Sequence, residues 1–230
     1  MTNTLHRFGK PQDLKDDYVV FIMARSGIND IGSIQKARDF LRAALKYNPV
    51  NITACPEDGS IFRPEKNLNP FELYVKGRTE TVSSEQVIEE IKSPGRALVV
   101  FDDKQALEGF LKEVQEMDLG LSVNVSSLVE DVREMASRTG VRPHSINYAL
   151  GFRGNLYRLP DQYVLALTTM CGHGLIASNF AKKMVDRVKE KRLSPEKAAR
   201  YLAKFCVCGA FNTSRAERIL REARMLKSNV

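Results

Sequence analysis

The 230-residue sequence predicts an α/β or α+β protein: a mixed sheet covered by helices over residues 1–155, then a helical metal-binding module over 162–230. Three observations lead there. Short apolar or alternating runs of strand length interleave with helical periodicity through about residue 155. From residue 179 onward only helical periodicity remains. In that last part, two stretches place the pattern Cys-x-(His/Cys)-Gly at matching positions 35 residues apart.

The elements follow in order. DYVVFIMAR (17–25) is a continuous apolar run of strand length, as in a strand buried on both faces. A glycine-containing loop, SGINDIGS, leads to a helix whose apolar positions are Ile34, Ala37, Phe40, Leu41, Ala44 and Leu45. Asn51–Ala54 reads as a short strand and PEDG (56–59) as a turn, with a long loop over 58–69. Phe71, Leu73 and Val75 alternate like a half-buried strand, and Ser83 or Ser84 caps a short helix through Ile91. RALVVF (96–101) opens a second strand–helix unit, whose helix buries Ala106, Leu107, Phe110, Leu111 and Val114.

Alternation returns in LGLSVNVS (119–126) and in HSINYALGF (144–152), on either side of a helix carrying Leu128, Val129, Val132, Met135 and Ala136. One-sided strands argue against a fully parallel, doubly covered sheet. A mixed sheet of the split-βαβ or ferredoxin-like kind fits better. Residues 162–169 are apolar and ambiguous between strand and helix. LSPEKAARYLAKF (193–205) carries helix-start grammar: Ser194 at the N-cap, Pro195 in the first turn, Glu196 near the positive dipole end. Ser214 and Glu217 have capping-box spacing for the last helix.

Composition narrows the function classes. With 43% hydrophobic and 27% charged residues, the chain can fill a core. No apolar run approaches the roughly 20 residues of a membrane span, and the N-terminus lacks a secretory h-region. A cytoplasmic protein with no membrane segment is expected. Four unevenly placed cysteines suit metal binding or chemistry better than a disulfide framework. The net charge of +7 is lopsided: residues 180–230 hold fourteen Lys/Arg against five Asp/Glu. Those basic helices are a candidate docking surface for an acidic protein or nucleic acid.

The richest signal is MCGHGLIASN (170–179) set over FCVCGAFNTS (205–214). Without a gap, Cys171 falls on Cys206, His173 on Cys208, and Gly174 on Gly209. An apolar pair, a polar residue able to cap (Asn179, Ser214) and a helix follow in both. Ligands one residue apart can point the same way from a turning backbone, and the glycine lets the chain bend away. Two facing hooks would supply Cys171, His173, Cys206 and Cys208, a set of three cysteines and one histidine suited to tetrahedral zinc. The alternative is a [4Fe–4S] cluster on the three cysteines, in a redox or lyase protein. Cys55 could join such a set if its turn reaches the site.

Other chemistry is thinner. Cys171 with His173 could be a nucleophile–base pair, but no third orienting residue is evident. Asp102, Asp103 and Glu108 follow a strand end, where functional carboxylates often lie, though a helix N-cap and solvated helix acids explain them as well. His144 reads as structural. Backbone amides around Gly27, Gly32 and Ser33 could receive a phosphate, but the loop has no dinucleotide-binding or Walker pattern. Catalytic residues, if any, are not assigned.

Overall fold

The structure is a computed structural model in which residues 7–54, 83–92, 96–206 and 209–225 are described. After a short helix α1 (Pro11–Leu14), the elements run β1 (Tyr18–Met23), α2 (Ser33–Leu45), β2 (Asn51–Ala54), α3 (Ser84–Glu89), β3 (Arg96–Phe101), α4 (Lys104–Met117), β4 (Ser122–Ser126) and α5 (Val129–Thr139). A 3-10 turn (Leu156–Arg158) and four α-helices complete the described chain: α6 (Gln162–Thr168), α7 (Ser178–Lys189), α8 (Pro195–Ala203) and α9 (Thr213–Met225). No helix among the described residues is long and apolar enough to cross a membrane.

The strands stand in the order β2-β3-β1-β4. β1 pairs antiparallel with β3 (Val20 opposite Val99) and with β4 (Val20 opposite Val125), and β2 pairs antiparallel with β3. The mixed sheet expected from sequence is therefore antiparallel throughout its described strands. β1 lies between β3 and β4, and β3 lies between β1 and β2. These are two interlocked split βαβ units, the ferredoxin-like order.

One face of the sheet carries Tyr18, Val20, Ile22, Ile52, Ala97, Val99 and Phe101. They pack on Phe40 and Leu41 of α2, Val87 and Ile88 of α3, and Leu107 and Phe110 of α4. Phe40 and Phe101 each meet Phe110, with ring centroids 5.0 and 5.2 Å apart. From the other face Val19 and Val100 enter a second cluster formed by α6–α9, with Leu98 and Val50 at its edge. This second layer explains why DYVVFIMAR has no alternation although its strand is antiparallel: both faces of β1 are covered. Burying each such side chain contributes about 1.5–3 kcal/mol.

Local grammar sets the helix starts. Ser83 accepts from Gln86 N and the Gln86 side chain accepts from Ser83 N, a full capping box for α3. Asp103, Asp161 and Ser194 cap α4, α6 and α8 through their side chains. The ambiguous 162–169 run resolves as helix because Asp161 accepts from the amides of Tyr163 and Val164.

Three expectations change. Residues 144–152 form no strand: every residue from 142 to 158 is exposed, Leu150 at 79%. Alternation alone does not make a strand without a ladder partner, and Pro143 together with Gly151 and Gly154, both at positive φ, breaks the run. β4 begins at Ser122, since Asp118 and Gly120 both turn in the left-handed region as α4 ends. The last helix starts at Thr213, where Asn212 rather than Ser214 caps, its Oδ1 accepting from Arg215 N at 2.9 Å. Glu217 pairs with Arg221 instead of closing a capping box. The 58–69 loop and the 71–75 strand lie outside the described residues.

Candidate functional site

Helices α6–α7 and α8–α9 are two helical hairpins related by the same 35-residue shift as the hooks. α6 ends at Thr168 and α8 at Ala203; α7 begins at Ser178 and α9 at Thr213. Cys171 N donates to Thr168 O (3.2 Å), as Cys206 N does to Ala203 O (3.0 Å). Gly174 N donates to Cys171 O (2.9 Å), as Gly209 N does to Cys206 O (3.1 Å). Gly174 and Gly209 have φ of 66° and 69°, where only glycine sits without strain. Ala181 N bonds Ala177 O and Ala216 N bonds Asn212 O, both at 3.0 Å. The buried pairs continue the correspondence: Ile176 with Phe211, Ala181 with Ala216, Met184 with Ile219, Val185 with Leu220. One backbone design is thus used twice, with a cysteine at the same point of each turn.

Cys171 and Cys206 are both buried and belong to the same apolar cluster beneath the sheet. His173 is exposed. Cys208 and Cys55 lie outside the described residues. No group of three or more His, Cys, Asp or Glu side chains among the described residues is disposed to hold a metal ion.

A residue from the far end of the chain ties the two hooks together. Arg7 donates from Nη1 to Met170 O at 2.7 Å and from Nη2 to Ala210 O at 2.5 Å. One carbonyl directly precedes Cys171 and the other directly follows Gly209, so a single guanidinium spans both turns. Phe8 N adds a bond to Thr169 Oγ1 at 2.9 Å. Arg7 Nε pairs with Asp17 Oδ2 at 2.5 Å, and Arg215 Nη1 reaches the same oxygen at 2.9 Å. Arg215 is fully buried and also donates to Asp13 O (3.0 Å) and Phe8 O (2.8 Å). Burial pulls its guanidinium below the ordinary value, and Asp17 opposes that shift. Asn212 Nδ2 reaches Asp17 Oδ1 at 3.2 Å. Among the described residues, two buried guanidiniums therefore share one buried carboxylate, which leaves a surplus positive charge beside the hooks.

The second hook also rests on the sheet. Asn51 Nδ2 donates to Gly209 O at 2.9 Å. Thr53 packs so closely that a Cβ on Gly209 would lie 2.0 Å from Thr53 Cγ2.

Sequence reasoning missed Arg7, Asp17 and Arg215. Arg215 left a signal: it stands four residues before Ile219, on the apolar face of α9, where an arginine must find a buried partner. Arg7 left none, since the two hook carbonyls it binds lie more than 160 residues away.

The other candidates take structural roles. Asp103 caps α4, and Glu108 pairs with Arg138 at 2.6 Å, which holds its carboxyl below the usual range. His144 is exposed beside Ser145. In the 24–33 loop, Arg25 N and Gly27 N bond the side chains of Asn29 and Asp30, so these amides serve the loop itself. On the basic helices, Lys182, Arg200, Arg218 and Arg221 pair with Asp186, Glu196, Asp16 and Glu217, while Lys183, Arg187 and Lys197 are exposed. Comparison of the chain with protein-family models, with curated proteins and with solved structures finds no match. What the geometry defines is a ferredoxin-like sheet backed by a twice-used helical hairpin.

Proposed function

We propose that this is a metal-binding protein whose two hairpin hooks hold one ion through the thiolates of Cys171, Cys206 and Cys208, with zinc as the ion. His173 is the hooks' own fourth donor. The observation that carries this reading is the charge beside the turns. Among the described residues Arg7 and Arg215 share only Asp17 as a carboxylate, in an interior that tolerates an unpaired charge poorly. A metal centre with three or four thiolate ligands is a net anion and would supply the missing negative charge. Arg7, bonded to both turns, is placed to keep the hooks facing each other. The exposed Lys183, Arg187 and Lys197 then form a docking surface for an acidic protein or nucleic acid.

Elemental analysis and a visible spectrum of anaerobically purified protein test the reading. Stoichiometric zinc in a colourless sample supports it. Iron with sulfide and a brown colour would assign a [4Fe–4S] cluster to the same thiolates instead. A protein with neither, still folded, would overturn it.

A further inference from the structure

Independently of the metal centre, we infer that residues 142–158, the exposed strap between α5 and α6, bind single-stranded nucleic acid. Charge comes first. The chain has no Asp or Glu between Glu134 and Asp161, while the strap holds Arg142, His144, Arg153 and Arg158. All three arginines are exposed, and among the described residues none of them has an ion-pair partner. The strap also presents three aromatic rings to solvent, Tyr148 at 52%, Phe152 at 43% and Tyr157 at 102%. Each ring stands with a guanidinium. The exposed Arg133 of α5 donates from Nη2 to the Tyr148 hydroxyl at 2.9 Å, and Arg153 and Arg158 directly follow Phe152 and Tyr157.

The rings are carried on a strap that is fastened to the body. Tyr148 is tied to α5 by its bond from Arg133, and Phe152 meets Phe8 with ring centroids 5.9 Å apart. Asn155 Oδ1 accepts from Tyr157 N at 3.1 Å, which caps the 3-10 turn. Gly151 and Gly154 bracket Phe152 and Arg153, with nothing within 4 Å of a Cβ built on either, so another backbone can approach closely there. A nucleic-acid strand repeats one phosphate and one flat base per nucleotide. A ring beside a guanidinium offers a stacking face and a cation to that repeat. An acidic protein would satisfy the arginines but gives the rings no flat partner, and a duplex keeps its bases stacked inside. Phosphates and base faces are common to RNA and DNA, so the strap takes either strand.

Fluorescence anisotropy of the full chain tests the inference, with labelled single-stranded RNA and DNA of one sequence, about 20 nucleotides long. Both should bind, and the matching duplex more weakly. Tyr157 is wholly exposed, so replacing it leaves the fold intact. Tyr157→Ala should weaken binding roughly 5- to 150-fold, the worth of one stacked base, and Tyr157→Phe should restore it. Arg153→Gln and Arg158→Gln should each lower the slope of log affinity against log salt by about 0.7. No binding of either strand, or wild-type affinity in Tyr157→Ala, would overturn the inference. So would polyglutamate competing as well as the oligonucleotide, which would make the strap a site for acidic protein. Binding lost on replacing Lys183, Arg187 and Lys197 by Gln but kept in the strap variants would also overturn it, by moving the strand to α7 and α8. A metal-free protein that still binds the strand would remove the metal-centre reading and leave this one standing.

Discussion

Gly174 and Gly209 occupy the same point of two turns and share a left-handed backbone, yet their surroundings differ. A side chain at Gly174 enters open space, so Gly174→Ala should cost only the backbone strain, about 1–2 kcal/mol. At Gly209 the added methyl strikes Thr53 and Asn51. Gly209→Ala should cost about 1–3 kcal/mol beyond that strain, the range of overpacked sites. Urea unfolding of the two variants measures the difference, and equal costs would contradict the close seat of the second hook on β2. Asp17 is the other decisive residue at this scale. Asp17→Ala removes the carboxylate between Arg7 and Arg215 and leaves both cations buried. A loss of about 3–5 kcal/mol is expected, as for a broken buried pair. Metal-loaded protein should lose less than metal-free protein if an anionic centre lies beside the guanidiniums.

The two hairpins share turn spacing, turn bonds and buried positions, but their helix caps differ. Asn212 caps α9 through its side chain, whereas Ala177 at the same position of α7 has no cap to offer. Ala177→Asp should therefore stabilise the first hairpin by about 1 kcal/mol, since Ala177 is exposed and its extended backbone already suits an N-cap. The reverse change, Asn212→Ala, should cost more than the usual cap. Asn212 also donates to Asp16 O at 3.1 Å and to Asp17. Thermal melts of the two variants should shift in opposite directions. These caps also show how far local grammar can be read. Ser194 and Asp103 were legible because each serves one helix through partners three residues away. Asn212 was not, because it also serves buried partners nearly 200 residues away, and Ser214 offered a closer match to capping-box spacing. The same distinction holds for the strands. β1 and β3 were legible because burial on both faces leaves a continuous apolar run, whereas 144–152 has the alternation of a strand and forms none. The correspondence of the hooks could be read as spacing, but not the guanidinium between them, because clamps of that kind leave no periodicity.

At the scale of the whole molecule, one sheet belongs to two cores: Val20 and Val99 face the α2–α4 layer, while Val19 and Val100 enter the hairpin layer. The two layers cannot separate without exposing β1, so heat should unfold the chain in a single cooperative transition, seen alike in the helical signal and in tyrosine absorbance. Its acid limb should be set by the α2–α4–α5 layer. Arg138 joins Glu108 and Glu134, Lys104 joins Glu134 and Asp131, and Lys46 with Tyr47 joins Glu113 across helices. The carboxyls of Glu108, Glu113 and Glu134 are held low, chiefly by hydrogen bonds from Arg138, Lys46 and Lys104 respectively. Groups depressed in the folded state contribute stability above their unfolded values, near 4.3 for glutamate, and lose it as pH falls through the folded ones. The melting temperature should therefore change little between about pH 5 and 7 on account of these groups and drop below about pH 4. The pairs are largely exposed, so each contributes little and the drop should shrink in high salt. Arg138→Met, which frees Glu108 of its chief partner and takes one of two from Glu134, should flatten the acid limb more than Lys46→Met, which acts on Glu113 alone. An acid limb of unchanged steepness in Arg138→Met would place the acid sensitivity outside this layer.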